Sequence, residues 1–165
     1  MNLNILPIIA IIFIAIPGAV HAFSVDNVDI SIDESGSATV QMNYQTNHFE
    51  TGAYSLATIV MDVKSVAKER LEAVFHKTVS VQELSPSSTR FVVQDFAQVK
   101  NDTYISPSFV FLDAEMLFDE RSKWIKDALS LDFTPKVTTV QFADGYSESF
   151  ENRDTIPEIV HNLIK

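Results

Sequence analysis

Asp144-Gly145 stands between two strand-forming runs, residues 136–142 and 146–151, and this arrangement most narrows what the chain can fold into. A glycine in a short connection takes positive φ at little cost, so the flanking runs are expected to fold onto each other as an antiparallel hairpin around a two-residue turn. A second alternating pair lies near the start. Val28, Ile30 and Ile32 alternate with Asp29, Ser31 and Asp33. After Glu34-Ser35-Gly36 the pattern resumes with Ala38, Val40, Met42 and Tyr44. Its polar members share one side, as in a sheet with one wet face.

Between these hairpins the hydrophobic period changes. Leu56, Ile59, Val60, Val63, Val66, Ala67, Leu71, Val74 and Phe75 recur every three or four residues, which predicts one long amphipathic helix. Asn47 or Thr51 is expected to cap it, with Glu50 placed as in a capping box. Val79, Val81 and Leu84, the turn at residues 85–88, and Phe91, Val92, Val93 and Phe96 predict a further hairpin. Asn101-Asp102 then turns the chain into residues 104–112, completing an expected three-strand meander whose last member, holding Pro107, belongs at an edge or bulge. Leu117, Trp124, Ile125, Ala128 and Leu129 predict a short second helix starting near Asp113 or Asp119-Glu120 and closed by Pro135. Ile156, Ile159, Val160 and Leu163 suggest a final helical turn from Pro157. The expected fold is α+β: about seven strands in a mainly antiparallel sheet, with one long and one short helix on one face.

Residues 1–22 stand apart from this pattern. Residues 5–16 are nearly all aliphatic, Pro17-Gly18 break the run, and Val20-His21-Ala22 supplies small residues at −3 and −1. The segment reads as a signal peptide cleaved after Ala22, with residues 23–165 forming a single exported domain. The n-region Met1-Asn2-Leu3-Asn4 lacks Lys and Arg, so the alternative is an uncleaved anchor at residues 5–20, somewhat short of the ~20 apolar residues of a spanning helix.

The leader carries no Asp, Glu, Lys or Arg, so all 22 acidic and 12 basic residues, and the net charge of −10, fall in residues 23–165. Nucleic acid and anionic lipid both need a basic face to displace counterions, so neither is an expected partner. Absence of cysteine removes disulfides, thiolate catalysis, iron–sulfur clusters and Cys-ligated zinc. Twelve Phe against four Gly and six Pro fit an ordered core.

Residues that carry chemistry are sparse. His48, His76 and His161 fall in three separate predicted elements. His48-Phe49-Glu50 has the H-x-E spacing of zinc deaminases without their cysteine pair. No G-x-S-x-G elbow, G-x-G-x-x-G fingerprint or Walker loop occurs, so no catalytic residue and no cofactor are assigned. Two acidic clusters, Asp26, Asp29, Asp33 and Glu34, and Asp113, Glu115, Asp119 and Glu120, contain the oxygen ligands that hard cations use. Asp29, Asp33 and Glu34 are the metal candidates, since Asp33-Glu34-Ser35-Gly36 resembles part of a calcium loop without its terminal Glu. Asn101-Asp102-Thr103 is a glycosylation sequon in a predicted turn. Tyr44, Tyr54, Tyr104 and Tyr146 form no spaced row that would make a sugar platform.

Residues 137–150, together with Asp154-Thr155-Ile156-Pro157, resemble the C-terminal hairpin of small secreted proteins of methanogenic archaea, a group without an assigned activity. The resemblance covers about a fifth of the chain, implies export, and brings no functional residue. The expected function is that of a non-enzymatic envelope or extracellular protein binding another protein or a cell-surface component through a sheet face or edge strand. The alternatives are an exported hydrolase with paired carboxylates and a cation-binding module.

Overall fold

A computed structural model describes residues 24–45, 62–110 and 134–163. The strands are β1 (Ser24–Ile32), β2 (Ala38–Gln45), β3 (Val79–Leu84), β4 (Ser88–Val93), β5 (Gln98–Lys100), β6 (Thr103–Ser106), β7 (Phe109–Val110), β8 (Val137–Gln141), β9 (Ser147–Glu151), β10 (Thr155–Ile156) and β11 (Ile159–Asn162), and the described helix is α1 (Val63–Phe75). The α+β class holds in coarse form, as a mostly-strand structure with one described helix. Six strands form a sheet in the order β3-β4-β2-β1-β8-β9. Three form a second sheet, β11-β6-β5, and β10 pairs with β7. The large sheet is mixed: β1 and β8 run parallel and its other neighbours run antiparallel.

The first hairpin forms where its alternation places it. Val28, Ile30 and Ile32 point into the core while Asp29 and Ser31 face out. The strand begins earlier than the alternation indicates, because a bulge between Val25 and Asn27 shifts the phase and buries Val25 on the same face as Val28. A second bulge, between Val81 and Glu83, likewise aligns Val79, Val81 and Leu84. Lys64 Nζ donates to Gln82 O at this bulge, 2.9 Å away, so a cation blunts the β3 edge.

Both outer hairpin loops share one construction. Gly36 N donates to Asp33 O and Gly145 N to Phe142 O, while Asp33 N bonds Ser37 O and Phe142 N bonds Tyr146 O. Gly36 and Gly145 have φ of 85° and 90°. These are three-residue loops closed by a left-handed glycine, so the turn at Asp144-Gly145 also includes Ala143 and is one residue longer than the expected two-residue turn.

Helix α1 starts at Asp62, whose carboxylate accepts from Ser65 N and Ser65 Oγ. It ends at His76 in the left-handed conformation, with the His76 N–H on Glu72 O. Leu71 is buried, and Phe75 packs against Phe91 and Phe96 at ring centroid distances of 5.9 and 6.2 Å. The expected beginning of this helix at residues 56–61 and the expected short helix at 117–129 lie outside the described residues, as do the proposed caps Asn47 and Thr51.

Two further expectations are overturned. Residues 98–106 do not extend the β3–β4 hairpin into a meander: β5 and β6 form their own hairpin in the second sheet. Pro107 and Ser108 then separate β6 from β7, consistent with a residue that lacks the donor a ladder needs. The tail is strand, not helix. In β11, Ile159 and His161 are buried while Val160 and Asn162 are exposed, a period of two. Val160 is 59% exposed, where a helical stripe would bury it. Pairing with β6 decides the outcome, because a short apolar run fits either period until a neighbouring strand supplies hydrogen bonds.

Candidate functional site

The face of the large sheet turned away from the core is built mostly from polar residues, hydroxyl and amide side chains predominating. Cross-strand partners define two rows on it. One runs Ser149, Thr139, Asp29, Gln41, Arg90, Glu83; the other runs Ser147, Gln141, Ser31, Thr39, Val92, Ser80. Six strands at the usual spacing make this surface about 24 Å wide. Every described residue of these rows is exposed or half-buried, whereas the opposite face holds Val28, Ile30, Val40, Phe91 and Val140.

The amides and hydroxyls of this face are tied to one another. Asn27 Nδ2 donates to Asp29 Oδ2 at 2.7 Å, Asn43 Nδ2 to Asn27 Oδ1 at 3.2 Å, and Gln41 Nε2 to Asn43 Oδ1 at 3.3 Å. Thr139 Oγ1 and Ser149 Oγ lie 3.4 Å apart. Side chains such as Ser and Thr lose little rotamer entropy on binding, and amides and hydroxyls both donate and accept. Neither row contains lysine or an aromatic residue. The surface is suited to hydrogen-bonded docking.

A second cluster gathers at the β8–β9 loop. His161 Nε2 lies 2.7 Å from Asp144 Oδ2, and the Tyr146 ring stacks on the imidazole at 4.2 Å with 7° between planes. Phe142 lies on it too, at 5.0 Å. Tyr146 Oη donates to Glu148 Oε1 at 2.8 Å, and that bond raises the phenol's pKa. Tyr104, opposite His161 in the β6–β11 ladder, donates through Oη to Glu34 O. Its pKa is raised by burial first and then by the carboxylates of Glu34, Asp33, Asp144 and Asp102. Sequence reasoning found no site around His161 because its partner, Asp144, belongs to a separate hairpin and meets it only when β11 docks.

Each of the metal candidates takes part in bonding of its own. Asp33 Oδ1 accepts from Ser35 N, Ser35 Oγ and Ser37 N, at 2.8, 2.7 and 3.0 Å. The Ser35 hydroxyl, with the loop N–H groups, lowers the pKa of the Asp33 carboxyl. Asp29 faces the open sheet and receives Asn27, while the Glu34 backbone carbonyl accepts from Tyr104. Among the described residues no group of three or more His, Asp or Glu is arranged to hold a metal ion. Of the remaining histidines, His76 caps α1 and is exposed, and His48 lies outside the described residues.

Asn101 is exposed in the β5–β6 turn, where it and Asp102 have φ of 49° and 62°. The sequon hydroxyl, Thr103 Oγ1, donates to Asn162 Oδ1 at 2.7 Å. Among the described residues no helix is long and apolar enough to cross a membrane. Comparison of the chain with family models, with curated proteins and with solved structures finds no match.

Proposed function

We propose that this chain is a non-enzymatic exported protein of the cell envelope or extracellular space that binds another protein or a surface component through the open face of its six-stranded sheet. One observation carries the reading: a face six strands wide is mostly polar, with hydroxyl and amide side chains predominating, and its Asn27, Asp29, Gln41 and Asn43 are tied by mutual hydrogen bonds. Such a surface orders few side chains when a partner docks, which lowers the entropic cost of association. The edges argue less for strand addition, since β3 carries a bulge capped by Lys64 and β9 carries Glu148 and Glu151. Export rests on the leader at residues 1–22 and accords with the resemblance of the C-terminal hairpin to secreted methanogen proteins.

The test uses the chain from Phe23 onward, immobilised and exposed to a native envelope extract. A component retained by the wild type, lost with Ser31→Arg and kept with Gln98→Arg on the small sheet supports the reading. Failure to retain anything, or equal retention by Ser31→Arg, overturns it. Intact mass of the protein recovered from its host tests export separately. A species beginning at Phe23 supports cleavage, added mass at Asn101 reports a glycan, and retention of Met1 makes residues 5–20 an anchor.

A further inference from the structure

We propose that Asp144-Gly145 is an isomerisation-prone bond, a site of succinimide and isoaspartate formation, that the C-terminal strand β11 guards through His161. The chemistry needs only water. The Gly145 backbone nitrogen attacks Cγ of the protonated Asp144 carboxyl, a C–N bond closes a five-membered ring, the Cγ–OH bond breaks, and that hydroxyl leaves as water with the amide proton. A second water then opens the ring at either carbonyl, restoring aspartate or routing the main chain through the side chain as isoaspartate. Glycine makes this attack easy because it has no Cβ to crowd the nitrogen. The loop backbone is exposed, and a Cβ built on Gly145 would meet nothing within 4 Å, so no packed neighbour crowds the glycine side of the bond, whereas the Asp144 side chain is only 16% exposed.

Three hydrogen bonds hold the reacting groups away from each other. The Gly145 N–H, the nucleophile, is committed to Phe142 O at 2.9 Å. Asp144 Oδ1 accepts from Tyr146 N at 3.1 Å, and Oδ2 meets His161 Nε2 at 2.7 Å. Ring closure needs the carboxyl to swing back onto its own following nitrogen, which breaks these two carboxylate contacts. The first two bonds are local to the loop and open with it. The third ties the loop to a different part of the fold: His161 has a side chain 8% exposed, wedged against Tyr146 and Phe142, on a strand paired with β6. Docking of β11 therefore adds a restraint on Asp144 that the loop by itself does not supply.

The experiment follows isoaspartate at position 144 during prolonged incubation at neutral pH, by peptide mapping with fragmentation that distinguishes the two isomers. Native full-length protein, its His161→Gln variant and the wild-type chain unfolded in urea are compared. The urea sample is the unguarded reference, so the proposal is tested even where the variant folds poorly. Native wild type is expected to isomerise far more slowly than the unfolded chain. His161→Gln is expected to isomerise roughly 5- to 30-fold faster than native wild type, the factor that loss of one such contact makes in an opening equilibrium. Equal rates for native and unfolded wild type overturn the proposal. So does a folded His161→Gln variant that isomerises no faster than wild type, which would assign the protection to the loop's own bonds.

Discussion

Gly36 and Ala97 lie backbone to backbone: Ala97 N donates to Gly36 O at 2.8 Å, and a Cβ on Gly36 would stand 2.4 Å from Ala97 O. This contact joins the first hairpin loop to the segment that leads into the small sheet. Gly145 has nearly the same φ but nothing within 4 Å of an added Cβ. Gly145→Ala is therefore expected to cost about 1–2 kcal/mol, the strain of a left-handed alanine alone. Gly36→Ala adds a backbone clash and is expected to cost roughly 3–4 kcal/mol. Urea midpoints at unchanged slope measure both, and equal losses would show that the approach of Ala97 costs nothing.

Thr138 is 1% exposed, and its Oγ1 finds no hydrogen-bond partner among the described residues. It sits on the core face opposite Val28 of β1 and Phe150 of β9. Thr138→Val keeps the shape and removes the unpaired hydroxyl, so it is expected to stabilise the fold by about 1 kcal/mol. A lower melting temperature for this variant would mean that the hydroxyl is satisfied in solution.

The Asp33 carboxyl has a lowered pKa because Ser35, and then the loop N–H groups, bond its charged form. A carboxyl lowered on folding contributes stability that is present above its unfolded value, about 3.9, and lost as pH falls through the lower folded value. The urea midpoint of Asp33→Asn should therefore lie below that of wild type at about pH 6 and approach it as the pH falls through the lowered folded value. A gap that stays constant across this range would place the role of Asp33 in its shape and not its charge.

Ser31 is exposed on the open face, between Gln141 of β8 and Thr39 of β2. Ser31→Arg should leave the unfolding free energy within about 0.5 kcal/mol of wild type, as surface changes away from packed groups do. Loss of partner retention together with unchanged stability would localise binding to this face. A large destabilisation would instead mean that the face is covered.

Local order was legible in the residues themselves. The alternation from Val28 to Ile32 and from Ala38 to Tyr44 places a hairpin with one wet face, and the stripe through Leu71, Val74 and Phe75 places a helix, because each rests on contacts within a few residues. Where the period was ambiguous the reading failed. Ile156, Ile159, Val160 and Leu163 fit a helical stripe as well as a strand, and pairing of Ile156 with β7 and of Ile159 and Val160 with β6 resolved them. The bulges at Asp26 and Gln82 belong to the same class, since re-phasing a strand serves a core that the local sequence does not contain. The parallel contact of β1 with β8 joins residues more than a hundred positions apart. Strand order, and with it the open polar face, was therefore decided by tertiary packing. The pairing of His161 with Asp144 has the same origin: a hydrogen bond between side chains on different hairpins exists only after the sheets that carry them have docked. Composition and periodicity determine which faces are wet and which are dry, because those follow from each residue's own transfer free energy. Which wet residues become neighbours is set by the packing of the dry ones.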